Sequence, residues 1–175
     1  MKFLLKSISY ILVFLLAFLV FLPKVELFNL LEKNLEKNSI IISNEIKKDK
    51  YISLQVKDST IYFEKIKSAY IENIDIFTLL FYSKIEFKNI LVAKEFQNFL
   101  PQKISNITIK HSIIDFKTAY IKASGDFGSL NGNVDILNRK LVAILEPSSI
   151  MKSKYRNLLS QFKLKDGKYY YEQRF

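Results

Sequence analysis

An almost unbroken apolar run at the N-terminus constrains this chain more than any other feature. From Phe3 to Leu22 few polar residues occur, and residues 11–22 are only Ile, Leu, Val, Phe and Ala. About twenty helical residues extend roughly 30 Å, the thickness of a bilayer's hydrocarbon core. Lys2 and Lys6 flank the run on its N-terminal side, which favours a cytoplasmic N-terminus. We therefore predict that residues 1–23 form a single transmembrane anchor.

Two alternatives to an anchor are a cleaved signal peptide and a buried helix of a soluble protein. A signal peptide has a shorter apolar core and small residues before its cleavage site, whereas this run ends Val20-Phe21-Leu22-Pro23. No second apolar run of similar length follows, so the remainder is expected across the membrane from the N-terminus. The richness in Lys, Ile, Asn, Phe and Tyr is typical of an AT-rich bacterial genome. The predicted location is the bacterial inner membrane, single-pass, with the C-terminal domain in the periplasm.

The segment 24–38 has the pattern of a juxtamembrane amphipathic helix. Val25, Phe28, Leu31 and Leu35 recur at helical spacing, and Pro23 suits a first helical turn. This helix either caps the core of the following domain or lies on the membrane surface or against a partner helix.

Residues 39–175 are predicted to form a β-rich periplasmic domain. Ile52, Leu54 and Val56 alternate with polar residues, and the alternation of residues 130–136 is the clearest in the chain. Asp58-Ser59 is predicted to form a tight turn. About eight to ten short strands of this kind indicate a mainly β, antiparallel fold. Two short helices are expected within it, at residues 94–100 and 149–162, so the fold has two or three short helices besides the anchor.

A weak internal repeat favours a sheet built from similar hairpins. Residues 71–76 and 104–109 share the pattern I-x-N-I-x-I, and Asn89-Ile90 falls between them. Repeats of this size, each paired with the next, predict an elongated, curved, repeat-like sheet. Chance recurrence is the alternative interpretation.

The residues that carry chemistry in most enzymes are scarce. The chain has no Cys and one His, His111, so thiolate or multi-His metal sites and Cys or His catalysis are not expected. The acidic residues are scattered singly among lysines. The glycines of residues 125–128 are interpreted as a turn between strands. We predict no catalytic, cofactor-binding or metal-ligating residues, no cofactor, and a protein that is not an enzyme.

Positive charge is concentrated at the C-terminus. The net charge is +10, and residues 148–175 hold seven basic and two acidic residues. The basic residues are Lys152, Lys154, Arg156, Lys163, Lys165, Lys168 and Arg174. They are interpreted as a solvated helix face and tail, with an anionic lipid headgroup or an acidic protein as the alternative contact. Nucleic acid is not an expected partner, because this segment would face away from the cytoplasm.

Several C-terminal segments resemble known envelope proteins. The residues that carry the likeness are 123–136, 139–141, 145–148 and 166–172. They resemble the protein N component of bacterial type II secretion systems, and they are similar to the AsmA-like β-repeat proteins of the envelope. The resemblance implies an inner-membrane protein with a periplasmic β domain and no catalytic residues.

The predicted function is therefore binding. The first hypothesis is a non-catalytic scaffold or assembly component of a type II-like secretion or envelope machine. The alternative is an AsmA-like lipid-binding or lipid-transfer protein. The expected partners are the lipid bilayer and other envelope or secretion-system proteins, with phospholipid added under the alternative.

Overall fold

The computed structural model describes residues 2–79 and 81–175. In these residues the chain is mainly β, with one antiparallel sheet of 11 strands and four α-helices. Helix α1 (Lys2–Phe21) and helix α2 (Lys24–Glu36) precede the sheet, and α3 (Ser149–Lys154) and α4 (Arg156–Leu159) interrupt it near its end. The prediction of a mainly β, antiparallel fold with a few short helices is confirmed.

The strands follow one another as neighbours across most of the sheet. The strands are β1 (Ile40–Ser43), β2 (Ile46–Lys50), β3 (Ser53–Phe63), β4 (Ile66–Leu79), β5 (Tyr82–Val92), β6 (Lys103–Ser112), β7 (Thr118–Gly125), β8 (Gly128–Asp135), β9 (Lys140–Pro147), β10 (Lys163–Lys165) and β11 (Lys168–Arg174). Their order is β1-β3-β4-β5-β6-β7-β8-β9-β11-β10, and β2 also pairs with β3. Strands β1 and β2 thus share one edge, and β10 forms the other.

No single helix in residues 2–79 or 81–175 combines the length and the apolar composition of a membrane span. The segments Leu5–Phe21 and Lys24–Glu36 reach those limits only when taken together, and a 57° bend separates them.

One face of the sheet is apolar and carries all the helices that contact it. Residues directly opposite each other in neighbouring strands point to the same side of a sheet. One such row crosses the sheet and is apolar throughout: Val56, Ile74, Phe87, Ile107, Ala123, Leu130, Leu145 and Tyr169. Helix α2 packs on this row through Phe28 at one end, and α3 and α4 pack on it through Met151 and Leu159 at the other. We call this side the helix-bearing face.

In each of strands β3 to β6, the alternation of side chains between the two faces of the sheet reverses once. On β4, Ile71 and Ile74 are both buried on the helix-bearing face although three residues separate them. The reversal falls at Asp58, Glu72, Asn89 and Ser105, where the regular pairing of neighbouring strands is interrupted. Asp58 and Asn89 take left-handed backbone conformations, with φ of 56° and 52°. We call this transverse row the crease.

The crease explains the repeated sequence pattern. Each isoleucine of residues 71–76 shares a row with its counterpart in residues 104–109, through Ile90, Phe87 and Ile85 of the intervening strand. A single reversal lets positions i, i+3 and i+5 of each strand point to one face. The two segments therefore occupy equivalent places in the sheet.

Three local predictions need correction or refinement. Asp58-Ser59 is not a turn, because β3 runs through it and the crease absorbs the irregularity. The helix predicted over residues 149–162 is two helices, since Tyr155 leaves the helical conformation with φ −113° and ψ 42°. The helix predicted over residues 94–100 is a single 3₁₀ turn at Lys94–Phe96.

Candidate functional site

An apolar cavity lies between α2 and strands β3 to β5. Its volume is 190 Å³, and its lining is Leu22, Lys24, Leu27, Phe28, Leu31, Leu54, Ile76, Thr78 and Ile85. Phe28 closes the floor because it is buried against the sheet, whereas Leu27 and Leu31 beside it are 48% and 47% exposed. Leu22, which follows the last residue of α1, reaches the same cavity. The cavity therefore opens at the junction of the apolar N-terminal helix and the sheet.

The apolar surface continues from this cavity across the sheet. The next row joins Ile85 to Ile109, Ile121, Gly132 and Ala143. Here the residues become smaller, and a Cβ added at Gly132 would lie only 2.9 Å from the Val142 carbonyl oxygen. The surface ends where Met151 of α3 and Leu159 of α4 cover Leu145. An apolar ligand or partner that entered the cavity would find a continuous apolar surface beside it.

Two lysines join helix α2 to the sheet by ion pairs: Lys24 lies 3.2 Å from Asp49 Oδ1, and the half-buried Lys47 makes the larger set of contacts. The Lys47 ammonium lies 2.6 Å from Glu32 Oε2 and 3.2 Å from Glu45 Oε1, and it donates to Asn29 Oδ1 at 2.8 Å. The same ammonium lies 5.0 Å from the centre of the Phe28 ring. These contacts join α2 to edge strand β2, so the wall of the cavity is held by charge as well as by packing.

Burial and pairing act in opposite directions on these charges. Burial alone would lower the pKa of Lys47, but hydrogen bonds to Glu32 and Glu45 outweigh it and leave that pKa raised. For Glu32, burial and the neighbouring Glu45 together raise the pKa by more than Lys47 lowers it. One carboxylate oxygen, Glu32 Oε1, is buried without a hydrogen-bond partner in the described residues. Burial therefore opposes the charged form of both groups, and pairing outweighs burial for Lys47 but not for Glu32.

A second, polar cavity of 440 Å³ lies on the opposite face along the crease. Its lining is Gln55, Lys57, Asp58, Glu72, Asn73, Lys88 and Asn89. The charges of its two lysines and two carboxylates cancel. The side-chain amides form hydrogen bonds across strands: Gln55 donates to Asn73, and Asn89 donates to Glu72, both at 2.8 Å. This cavity is hydrophilic, and its polar side chains are tied to one another across strands.

The residues singled out in the sequence do not converge on one site. His111 is half-buried at the end of β6, where its Nε2 lies 3.1 Å from the Phe116 carbonyl oxygen. Gly125 and Gly128 pair across the turn between β7 and β8. Within residues 2–79 and 81–175, no three His, Asp or Glu side chains are grouped as metal ligands.

The C-terminal basic residues are exposed at the far end of the sheet. All seven are solvent-exposed, and none forms an ion pair with another residue that the structure describes. They are distributed over α3, α4, β10 and β11 rather than on one helix face. The far end of the sheet therefore has an exposed basic surface formed by several elements.

The cavity beside α2 could not be found from the sequence alone. One indication of it was present in the sequence: Leu27 is apolar but does not lie on the same helical face as Phe28 and Leu35. The strand residues Ile76 and Ile85 join the cavity only through the pairing register of β4 and β5, which no local pattern determines.

The fold and its cavities define an open, antiparallel β protein with one apolar, helix-bearing face. The chain matches no protein-family model, no curated protein and no solved structure.

Proposed function

We propose that this chain is a membrane-anchored, non-catalytic binding protein of the bacterial envelope. In this proposal α1 spans the inner membrane with its N-terminus in the cytoplasm, and the sheet lies in the periplasm as a scaffold or assembly component of a secretion or envelope machine. The resemblance to protein N of type II secretion systems belongs to the same proposal.

The observation that carries the proposal is the exposure of α1. Most of its large apolar side chains are exposed, among them Phe3 at 82%, Phe14 at 67% and Phe21 at 83%, whereas Leu19 is buried. Exposed apolar surface costs about 25 cal/mol for each Å² left in water, so a helix of this kind requires an apolar environment. Its 20 residues extend about 30 Å, which suits a bilayer core.

A scaffold also needs a surface for a partner, and one sheet edge offers it. Strand β10 pairs only with Lys168–Tyr170 of β11, so the outer edge of residues 171–174 has no strand beside it in the described chain. Unpaired backbone groups on an edge can accept an additional strand from another protein. The proposal therefore places partner binding at β11.

The experiment uses the absence of cysteine in the natural sequence. A single cysteine placed by Asn131→Cys, on the exposed face of β8, should react with a membrane-impermeant maleimide in spheroplasts. A tag fused to the N-terminus should resist protease until the membrane is opened. A photo-crosslinking residue at Gln173 should give a discrete adduct with an envelope protein, and one at Asn131 should give none. Release of the chain by alkaline carbonate would contradict the anchor.

The cavity beside α2 favours lipid binding as a second candidate function. Eight of its nine lining side chains carry no charge, and the cavity begins at Leu22, next to the proposed membrane segment. If it holds an acyl chain, phospholipid should co-purify with the full chain. Ile76→Trp would fill the cavity and should reduce the bound lipid, measured by mass spectrometry. Leu164→Trp, at an exposed apolar residue of β10 away from the cavity and from the surface beside it, is the control and should retain the lipid.

A further inference from the structure

Helix α2 has an apolar side that the sheet does not cover. An α-helix turns 100° per residue, so Leu27, Leu30 and Leu31 follow one another around one side of α2. Their exposed fractions are 48%, 56% and 47%, whereas Phe28, which faces the sheet, is 5% exposed. Asn29 lies on the other side, where it contacts Lys47. We call the three exposed leucines the leucine flank.

The leucine flank lies in the first two turns of α2, which follows α1 after two residues. Only Leu22 and Pro23 separate the two helices, so three Cα–Cα steps join Phe21 to Lys24 and extend about 11 Å at most. If α1 crosses a bilayer, the first turn of α2 must then lie at the bilayer surface. Leu22 continues the apolar surface from one helix to the other, since it lines the cavity together with Leu27 and Leu31.

The geometry and composition of α2 suit a helix in the headgroup region. The axes of the two helices differ by 57°, and transmembrane helices commonly tilt by about 20° from the bilayer normal. Helix α2 can therefore approach the membrane plane without any change at the junction. Interfacial helices combine an apolar side with charged residues elsewhere, as α2 does with Glu26, Lys33 and Glu36.

We infer that the leucine flank of α2 is inserted in the headgroup region of the same bilayer that holds α1. This inference rests on the proposed membrane anchor, and it adds an orientation for the rest of the protein. Because Phe28 and Lys47 fix α2 to the sheet, the bilayer contact holds the sheet at a set angle to the membrane. The apolar cavity then opens toward lipid rather than toward bulk water.

The experiment places an environment-sensitive fluorophore on single cysteines of the full chain in phospholipid vesicles. Leu27→Cys reports on the leucine flank, and Asn29→Cys is its matched control, two residues away and 200° around the helix. Phe14→Cys reports on α1, and Asn131→Cys on the sheet face without helices. Doxyl-labelled phospholipid and aqueous iodide serve as quenchers. Circular dichroism checks that each variant retains the sheet.

The expected result is that lipid-borne doxyl groups quench Phe14→Cys and Leu27→Cys, while iodide quenches Asn29→Cys and Asn131→Cys. Iodide quenching of Leu27→Cys together with lipid quenching of Phe14→Cys would overturn the inference but leave the anchor intact. Protection of Leu27→Cys from both quenchers would assign the flank to a contact within the chain or with a second copy of it, which also overturns the inference. Lipid quenching of both α2 positions would contradict a one-sided contact. Iodide quenching of Phe14→Cys would overturn the anchor itself.

Discussion

Single residues with special backbone conformations determine where the chain of this sheet turns. Gly128 has a φ of 109°, which side chains other than hydrogen rarely allow. A Cβ there would collide with the carbonyl oxygen of Glu146 and would lie 2.7 Å from the Ser148 nitrogen. Both contacts are with the backbone of the next strand and its continuation, so they cannot be relieved by a rotamer change. Gly167 also has a positive φ, of 75°, but no atom lies within 4 Å of its Cβ position.

A side chain at Gly167 would meet backbone strain alone, whereas one at Gly128 would meet both strain and a steric collision. Gly167→Ala should lower the free energy of unfolding by about 1–2 kcal/mol, the cost of a left-handed conformation for a residue with a Cβ. Gly128→Ala should cost clearly more, because the pairing of β8 with β9 must also shift. Urea unfolding of both variants in detergent micelles measures the difference. Equal losses would mean that the collision at Gly128 is relieved by local movement.

Asp135 stabilises the turn between β8 and β9 only while it is ionised. Its carboxylate accepts hydrogen bonds from the Asn138 backbone N–H and side-chain amide, both at 2.8 Å. The backbone hydrogen bond is the largest cause that holds the Asp135 pKa below its ordinary value of 3.8. The folded state therefore favours the charged form, and its stabilising contribution is present above pH 3.8 and lost as the pH falls through the lowered pKa.

We predict that Asp135→Asn destabilises the protein at neutral pH and removes part of its acid sensitivity. The difference in melting temperature between natural protein and variant should be constant at neutral pH and shrink toward zero on acidification. Asp115→Asn is a suitable comparison, since that carboxylate lies in the turn before β7 and accepts from Tyr120 rather than from backbone N–H. A difference that grows on acidification would contradict the assigned sign.

At the scale of strands and helices, local patterns predicted the elements but not the crease. Strand β8 was predictable because Leu130, Gly132 and Val134 alternate with polar residues, and α2 because its apolar residues recur at helical spacing. The reversal at Asp58 and Asn89 was not, because it depends on which residues stand opposite each other. Asp58-Ser59 was predicted to be a turn because Asp tolerates a left-handed conformation. That conformation occurs in turns and also at the crease of a strand, so the residue type does not distinguish the two.

The crease predicts that Ala and Gly substitutions rank differently at a crease residue and at an ordinary strand residue. At Asn89, where φ is 52°, replacement by Ala should be more destabilising than replacement by Gly, because Gly tolerates this conformation. At Asn131, an exposed residue of β8 without positive φ, the order should reverse. Glycine in an ordinary strand costs about 0.5–1 kcal/mol relative to Ala. Four variants compared by urea unfolding test this, and the same order at both sites would contradict a strained crease.

At the scale of the whole molecule, an open sheet must protect two edges from uncontrolled pairing. One edge is divided into the short strands β1 and β2, which meet at Asn44 with a φ of 65°. The other edge strand, β10, has three residues, Lys163, Leu164 and Lys165, all of them exposed. Short strands, lysines and local irregularities all hinder the addition of a foreign strand. The sequence showed the lysines but not their place on an edge, because only the strand order puts β10 outside β11.

The lysines of β10 should therefore limit self-association through this edge. We predict that the double variant Lys163→Val and Lys165→Val increases the mass of the protein in detergent, measured by light scattering over a concentration series. The physical reason is that two charges are replaced by β-branched apolar residues on an edge with free backbone groups. The matched control is Lys152→Val with Lys154→Val, which removes the same charge from α3, where no strand can pair. An equal rise in mass for both double variants would attribute the association to net charge rather than to the edge, and no rise in either would show that three residues are too few to pair.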